Sequence, residues 1–405
     1  MFPSAVPAAA DVFLRFLRLG LTAFGGPVAH LGYFRREFVA RARWLDDAAF
    51  GEIVALCSVL PGPTSSQVGM LLGASRAGPL GALAAWAGFT LPAALVLGGA
   101  GLAVRATGAS VALRHGPAFA GALVGLAGAA AAVVLLATVA LGRNLLGTPL
   151  RYAIAALACA GALELDRVAP ALQWLPLVAG GALGAAFEGA RKKLPRQAPL
   201  ARVPYRVGVW AGAAFLVLLT GLPIVTDPGG YGGAFATFFR AGSLVFGGGH
   251  VVLPFLQSLV AEARIDGRTF LAGYGLAQAT PGPLFAFAAF LGAAERGPGG
   301  AIGACVALAG IFAPSFLLLA AAVPLWTALR DVPRAPQALA GVGAAVVGLL
   351  AAVLADPIGT GIVREPRELL PGALALALLA PGRTPVWLAV VAAGVAGAVL
   401  HSGGG

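Results

Sequence analysis

The chain has 405 residues, 59% of them hydrophobic and only 11% charged, whereas an ordinary soluble domain carries about a quarter charged. That balance excludes a water-soluble enzyme or binding module as the bulk of the protein. The net charge of +11 is concentrated in Arg191, Lys192, Lys193, Arg196, Arg202 and Arg206, a proline-interleaved linker without an aromatic platform, which argues for a cytoplasmic loop and against a nucleic-acid partner.

Apolar segments approaching the roughly 20 residues needed to span a bilayer recur throughout. They are predicted at 11–31, 48–73, 78–104, 116–141, 150–164 and 168–188, then at 207–225, 233–257, 269–293, 297–327, 337–355, 368–381 and 385–401. The expected fold class is therefore all-α, a polytopic integral membrane protein. Four parts are expected: an N-terminal repeat over 1–188, the basic cytoplasmic linker over 189–206, an extra transmembrane helix over 207–225 and a C-terminal repeat over 226–405. The apolar stretch from Val12 carries Arg15 and Arg18 and does not read as a cleavable signal. Cys57, Cys159 and Cys305 stand alone, so no zinc site, dithiol pair or disulfide framework is predicted. The chain offers no flavin or dinucleotide fingerprint either, and no metal or cofactor is expected.

The first segment contains Arg18 and then Phe24-Gly25-Gly26-Pro27. About 220 residues later the pattern returns as Arg240 and Phe246-Gly247-Gly248-Gly249. Pro61-Gly62-Pro63 returns in the same order as Pro281-Gly282-Pro283, and Gly88 and Pro92 return as Gly310 and Pro314. Doubled Gly/Pro-broken apolar segments are the signature of a secondary transporter with its site between two repeats. Segment 207–225 has no counterpart in the first half, so one extra crossing would invert the second repeat. The loop after the first motif carries Arg35, Arg36, Arg41 and Arg43, whereas its counterpart balances Arg264 and Arg268 against Glu262 and Asp266; that asymmetry supports inversion. Keeping residues 35–43 on the cytoplasmic side requires the first element to be broken or re-entrant at Phe24–Pro27.

The candidate substrate-binding set follows from these breaks. Glycines admit positive φ, and proline suits the first turn of a new helix. Interrupted helices in a membrane survive inside protein or beside water, and their N-terminal amides suit an oxyanion. The set comprises Phe24, Gly25, Gly26, Pro27, Pro61, Gly62 and Pro63, with Phe246, Gly247, Gly248, Pro281, Gly282 and Pro283 in the second half. Thr64, Ser65, Ser66 and Gln67 add neutral donors or caps after the first Pro-Gly-Pro, where the second half has only Leu284, Phe285 and Ala286. Arg18 and Arg240, at matched positions, supply charge. Glu52, His30 and His250 are candidates for proton coupling, and Gln278 precedes the second break.

Together, Phe24-Gly25-Gly26-Pro27 with His30, Pro61-Gly62-Pro63 before Gln67, and the echoes at Phe246–His250 and Pro281–Pro283 resemble the chromate ion transporter family, in its long two-repeat form. The resemblance covers about residues 11 to 400. It implies a multi-pass protein of the inner (cytoplasmic) membrane that exports chromate, driven by the proton gradient, and confers chromate resistance. Its partners would be chromate or a sulfate-like oxyanion, protons and the lipid bilayer, with a homodimer as one open assembly. Transport of sulfate, molybdate or another tetrahedral oxyanion is the alternative within the class; a membrane-embedded chromate reductase is the alternative outside it.

Overall fold

The computed structural model describes residues 5–24, 26–107, 116–168, 175–189, 203–245, 256, 265, 267–329, 334–355, 369–381 and 384–402. All regular secondary structure among them is helical. In the first half these are α1 (Ala5–Thr22), α2 (Gly26–Phe34) running into a π-helical turn (Arg35–Arg41), α3 (Asp47–Val59), α4 (Thr64–Thr107), α5 (Gly116–Leu145), α6 (Pro149–Val168) and α7 (Leu175–Phe187). After α8 (Tyr205–Val225) come α9 (Tyr231–Leu244), α10 (Gly267–Ala279), a 3₁₀ turn (Leu284–Ala286), α11 (Phe287–Ala294), α12 (Gly300–Leu329), α13 (Ala335–Ala355), α14 (Leu369–Leu379) and α15 (Val386–Ser402).

Among the described residues, three helices are long and apolar enough to cross a bilayer: Thr64–Ala106, Tyr205–Val225 and Gly300–Trp326. Helix α8 leaves Trp210, Val217 and Ile224 at 75%, 67% and 82% exposure. In water such a face would be a liability; in a bilayer it meets acyl chains of its own polarity. The protein is an all-α membrane protein.

The predicted segments 48–73 and 269–293 are each interrupted where the Pro-Gly-Pro motifs predict a break. Helix α3 ends at Val59 and α4 begins at Thr64, while α10 ends at Ala279 and the 3₁₀ turn begins at Leu284. Two prolines within three residues remove donors and clash with the preceding turn, which forces the stop. Helices α3 and α10 have 13 residues each, about 20 Å at 1.5 Å per residue, short of the ~30 Å hydrocarbon core. The predicted break between 73 and 78 is present: the backbone leaves the helical conformation at Ala77 and Gly78, the latter at φ 62°, and folds back so that Gly73 lies against the Gly81 carbonyl.

Tertiary packing interlocks the two halves. Helix α1 packs on α4, and its counterpart α9 packs on α12. The later helices exchange partners: α5 packs on α14 and α15, while its counterpart α13 packs on α6 and α7. Small residues permit the close approach that drives helix association where lipid is as apolar as leucine. On α5, Gly121 and Gly125 face the Gly397 and Ala393 carbonyls of α15; on α7, Gly184 faces Gln337 O and Gly341 of α13. The repeats therefore complete each other rather than forming separate bodies.

Aromatic side chains fill the centre of each half. Phe16 stacks on Phe38 at a centroid distance of 4.8 Å and meets Phe34 and Phe89 edge-on. In the second half Phe287 packs on Phe270, Tyr274 and Phe290. One buried ion pair ties α6 to the end of α7: Arg151 Nη2 donates to Glu188 Oε1, Thr148 Oγ1 donates to Oε2 at 3.4 Å, and Arg151 Nη1 also donates to Leu145 O at 3.1 Å. Both charged side chains are at most 6% exposed. Removing one partner strands the other charge, at about 3–5 kcal/mol. The Glu188→Gln protein is expected to show a clear fall in melting temperature in detergent, measured by thermal-shift chromatography; an unchanged value would show that the pair contributes no net stability.

Candidate functional site

The first Pro-Gly-Pro turn leads directly into a buried polar cluster. Thr64, Ser65, Ser66 and Gln67 occupy the first turn of α4 and are 8%, 4%, 2% and 0% exposed. The first amides of an α-helix have no intrahelical acceptor. Here Gln67 N donates to Pro63 O at 2.9 Å, and no described carbonyl accepts from the Thr64, Ser65 or Ser66 amides. These three amides and the positive end of the helix dipole form a setting for an anion.

The side chains around that turn come from both halves. Gln67 Nε2 donates to Pro61 O at 2.6 Å and to Ser315 Oγ on α12 at 3.3 Å. His30 Nδ1 lies 3.2 Å from Ser65 Oγ, and the His30 ring stands edge-on to Phe89 at 5.0 Å. Next to Phe89, Thr90 is 1% exposed. Ser66 Oγ, Gln67 Oε1 and Thr90 Oγ1 are buried and have no hydrogen-bond partner among the described residues. A buried polar atom in that state costs about 1–3 kcal/mol; two on adjacent residues of the turn, Ser66 and Gln67, call for an explanation beyond packing.

The two breaks are cross-bonded. Gly62 N donates to Val245 O at 2.6 Å, and Gly282 N donates to Ala23 O at 3.0 Å. Val245 and Ala23 each immediately precede a motif phenylalanine, Phe246 and Phe24. Each Pro-Gly-Pro turn is thus held by the chain leading into the other half's Phe-Gly-Gly break. The glycines sit at φ 112° and 105°, a region that disfavours any residue with a side chain.

The other sequence candidates are distributed as follows. Gly26 opens α2 at φ 76°, with Pro27 in its first turn. The Phe24 ring lies 6.2 Å from that of Trp387. Pro281–Pro283 form the second turn, followed by buried, apolar Leu284, Phe285 and Ala286, so the polar run after the first Pro-Gly-Pro has no equivalent after the second. Glu52 Oε1 on α3 accepts from Trp326 Nε1 on α12 at 3.3 Å, linking the halves away from the Gln67 turn. Gln278 Nε2 donates to Tyr274 Oη at 2.6 Å on its own helix. Arg240 is half-buried on α9. Arg18 lies exposed on α1 and lines a surface cleft with Arg36 and Glu37; no described side-chain bond joins it to the Gln67 cluster. Gly25, Phe246, Gly247, Gly248 and His250 lie outside the described residues.

Thr90 and Ser315 were not among the sequence candidates. A signal existed, because both flank the repeated prolines: Thr90 stands two residues before Pro92, and Ser315 follows Pro314. The Ser315 hydroxyl lies beside Gln67 only because α4 and α12 pack on each other there.

A chromate transporter family model matches residues 10–185 and 233–398, leaving out the linker and α8. A chromate transport protein of Pseudomonas aeruginosa is 30% identical over 396 residues, 96% of this chain and 91% of its own length. A chromate transport protein of Cupriavidus metallidurans is 27% identical over 364 residues, covering 89% of this chain and 85% of the relative. An uncharacterised transporter of Methanocaldococcus jannaschii is 27% identical over 361 residues, covering 86% and 84%. No solved structure matches the chain. Over both halves, then, the chain belongs to the chromate transporter family.

Proposed function

We propose that the protein is a secondary transporter that exports chromate across the cytoplasmic membrane, driven by the proton gradient, and thereby confers chromate resistance. The observation that carries this reading is the buried, incompletely bonded turn at Thr64–Gln67, set where the two halves cross. A tetrahedral dianion offers four acceptor oxygens. The Thr64, Ser65 and Ser66 amides and the Ser65 and Ser66 hydroxyls can donate to them, in a low-dielectric setting that strengthens each bond. Gln67 would orient the turn through Pro61 O and Ser315 Oγ. Arg240 would add charge from the second half.

The repeats are read as inverted, related by the exchange of partners across the two Pro-Gly-Pro turns, with α8 as the crossing that reverses the second. Rocking one repeat against the other would expose the site alternately to the two sides. His30, against Ser65, would carry the coupling proton, taking it up in exchange for the anion so that inward proton movement is coupled to outward chromate movement. Glu52, held by Trp326, would be a second titratable group on the moving interface.

The test is chromate flux in proteoliposomes under an imposed pH gradient, with sulfate and molybdate as competitors. Gradient-driven chromate movement is expected. Absence of flux would overturn the reading, and complete competition by sulfate with equal sulfate flux would reassign the cargo to a general tetrahedral oxyanion. For His30→Asn, accumulation driven by the pH gradient is expected to disappear while chromate–chromate exchange continues. Retention of gradient-driven accumulation would remove His30 from the coupling path.

A further inference from the structure

A second polar site lies on the surface, between α1 and the π-helical turn. The cleft has a volume of about 320 Å³ and is lined by Arg15, Arg18, Tyr33, Arg36, Glu37 and Arg41, among others. That volume is at the lower end of the roughly 300–1,000 Å³ range of small-ligand sites.

The local backbone explains why these cations share one wall. Residues five apart on an α-helix point about 140° away from each other. Here the chain adopts i→i+5 bonding, seen where Ala42 N donates to Glu37 O at 2.8 Å. A π-turn stacks residues five apart and recurs at functional sites; it places Arg36 and Arg41 on the same cleft.

The ion pairs leave charge over. Glu37 accepts from Arg15 at 2.8 Å and from Arg41 at 3.5 Å, and Arg15 also donates to Asp11 at 2.9 Å. Trp44 supports Arg15 from its face, at 5.8 Å. Arg18 and Arg36 have no acidic partner among the described residues. Two guanidinium groups, with Tyr33 beside them, present donors in the geometry that suits a phosphate-type oxygen cluster. Leu14 and Leu21, 62% and 56% exposed, flank Arg18 on the same helix, so an apolar tail could lie next to the anion.

We infer that this cleft is a binding site for a phosphate-type tetrahedral oxyanion, separate from the Gln67 turn and presented either by an anionic phospholipid headgroup or by a free anion. It stands independently of the transport reading.

The test uses the full chain in nanodiscs of neutral phosphatidylcholine, with arginine modification by phenylglyoxal followed by peptide mass spectrometry. One arm adds phosphatidylglycerol to the bilayer; the other adds inorganic phosphate to the buffer. Modification of Arg18 and Arg36 is expected to slow by about tenfold relative to exposed Arg43 in at least one arm. Protection by the lipid alone assigns a headgroup, and protection by phosphate in the lipid-neutral disc assigns a free anion. Equal rates at Arg18, Arg36 and Arg43 in both arms would overturn the site. The same protection is expected in Gln67→Leu protein, and its disappearance there would overturn the separateness. As a second readout, Arg18→Gln/Arg36→Gln protein should retain less phosphatidylglycerol or phosphate in native mass spectrometry; unchanged retention of both would overturn the site.

Discussion

Replacing Gln67 by leucine is expected to cut chromate flux in proteoliposomes by about 30-fold or more while the protein still reaches the membrane. The side chain is fully buried and donates to both Pro61 O and Ser315 Oγ. Leucine fills comparable space with no donor, so a backbone carbonyl at the helix break and a hydroxyl of the other half each lose a bond. At about 1–3 kcal/mol for each stranded group, a cost of about 2 kcal/mol on the transporting conformation corresponds to roughly 30-fold. Gln67→Glu separates donation from shape. A neutral carboxylic acid can donate one hydrogen bond, whereas a carboxylate only accepts and repels an approaching dianion. Flux through Gln67→Glu protein should therefore rise as pH falls, relative to the native protein at each pH. Native-like flux in Gln67→Leu would show that the turn is a packing feature only.

The second large effect is expected at Gly62. Its φ of 112° costs a residue with a side chain about 1–3 kcal/mol. A methyl there would also lie 2.7 Å from Gln67 Nε2 and 2.9 Å from Ser315 Oγ. Gly62→Ala must therefore shift the turn, disturb the Gln67 contacts and loosen the amide bond to Val245 O. Loss of flux together with a fall of several degrees in melting temperature is expected. Gly282→Ala should be milder: the strain is similar at φ 105°, but the nearest neighbour would be Ala93 Cβ at 3.2 Å. Gly32→Ala, with nothing within 4 Å, is the reference and should stay within about 0.5 kcal/mol of the native protein. If Gly62→Ala behaves like Gly32→Ala in both measurements, the turn is not the rigid element described above.

Much of the candidate site's local structure was legible before folding was considered. Proline spacing alone placed both helix breaks, and the Thr-Ser-Ser-Gln run marked where a polar cluster is buried. Arg18 shows where recurrence misdirects. Its match with Arg240 suggested a shared site, yet Val12, Phe16, Leu19 and Ala23 form the buried face of the first segment, leaving Arg15, Arg18 and Thr22 on the other face. Helical periodicity in α1 thus carried the direction of Arg18 that repetition did not.

The sequence by itself determined the membrane class, the repeated order of elements, the positions of the breaks and the family. Those features are local or compositional: proline lacks a donor, glycine admits positive φ, and apolar runs seek lipid. Only the tertiary structure decided the partners. It brought Gly62 to Val245 and Gly282 to Ala23, set Ser315 beside Gln67, exchanged α5 and α13 between the halves, and opened a cleft at the π-turn. The bonds at the two turns join residues more than 180 positions apart, and no local preference encodes them; they follow from which small-residue helix faces can approach closely enough to pack.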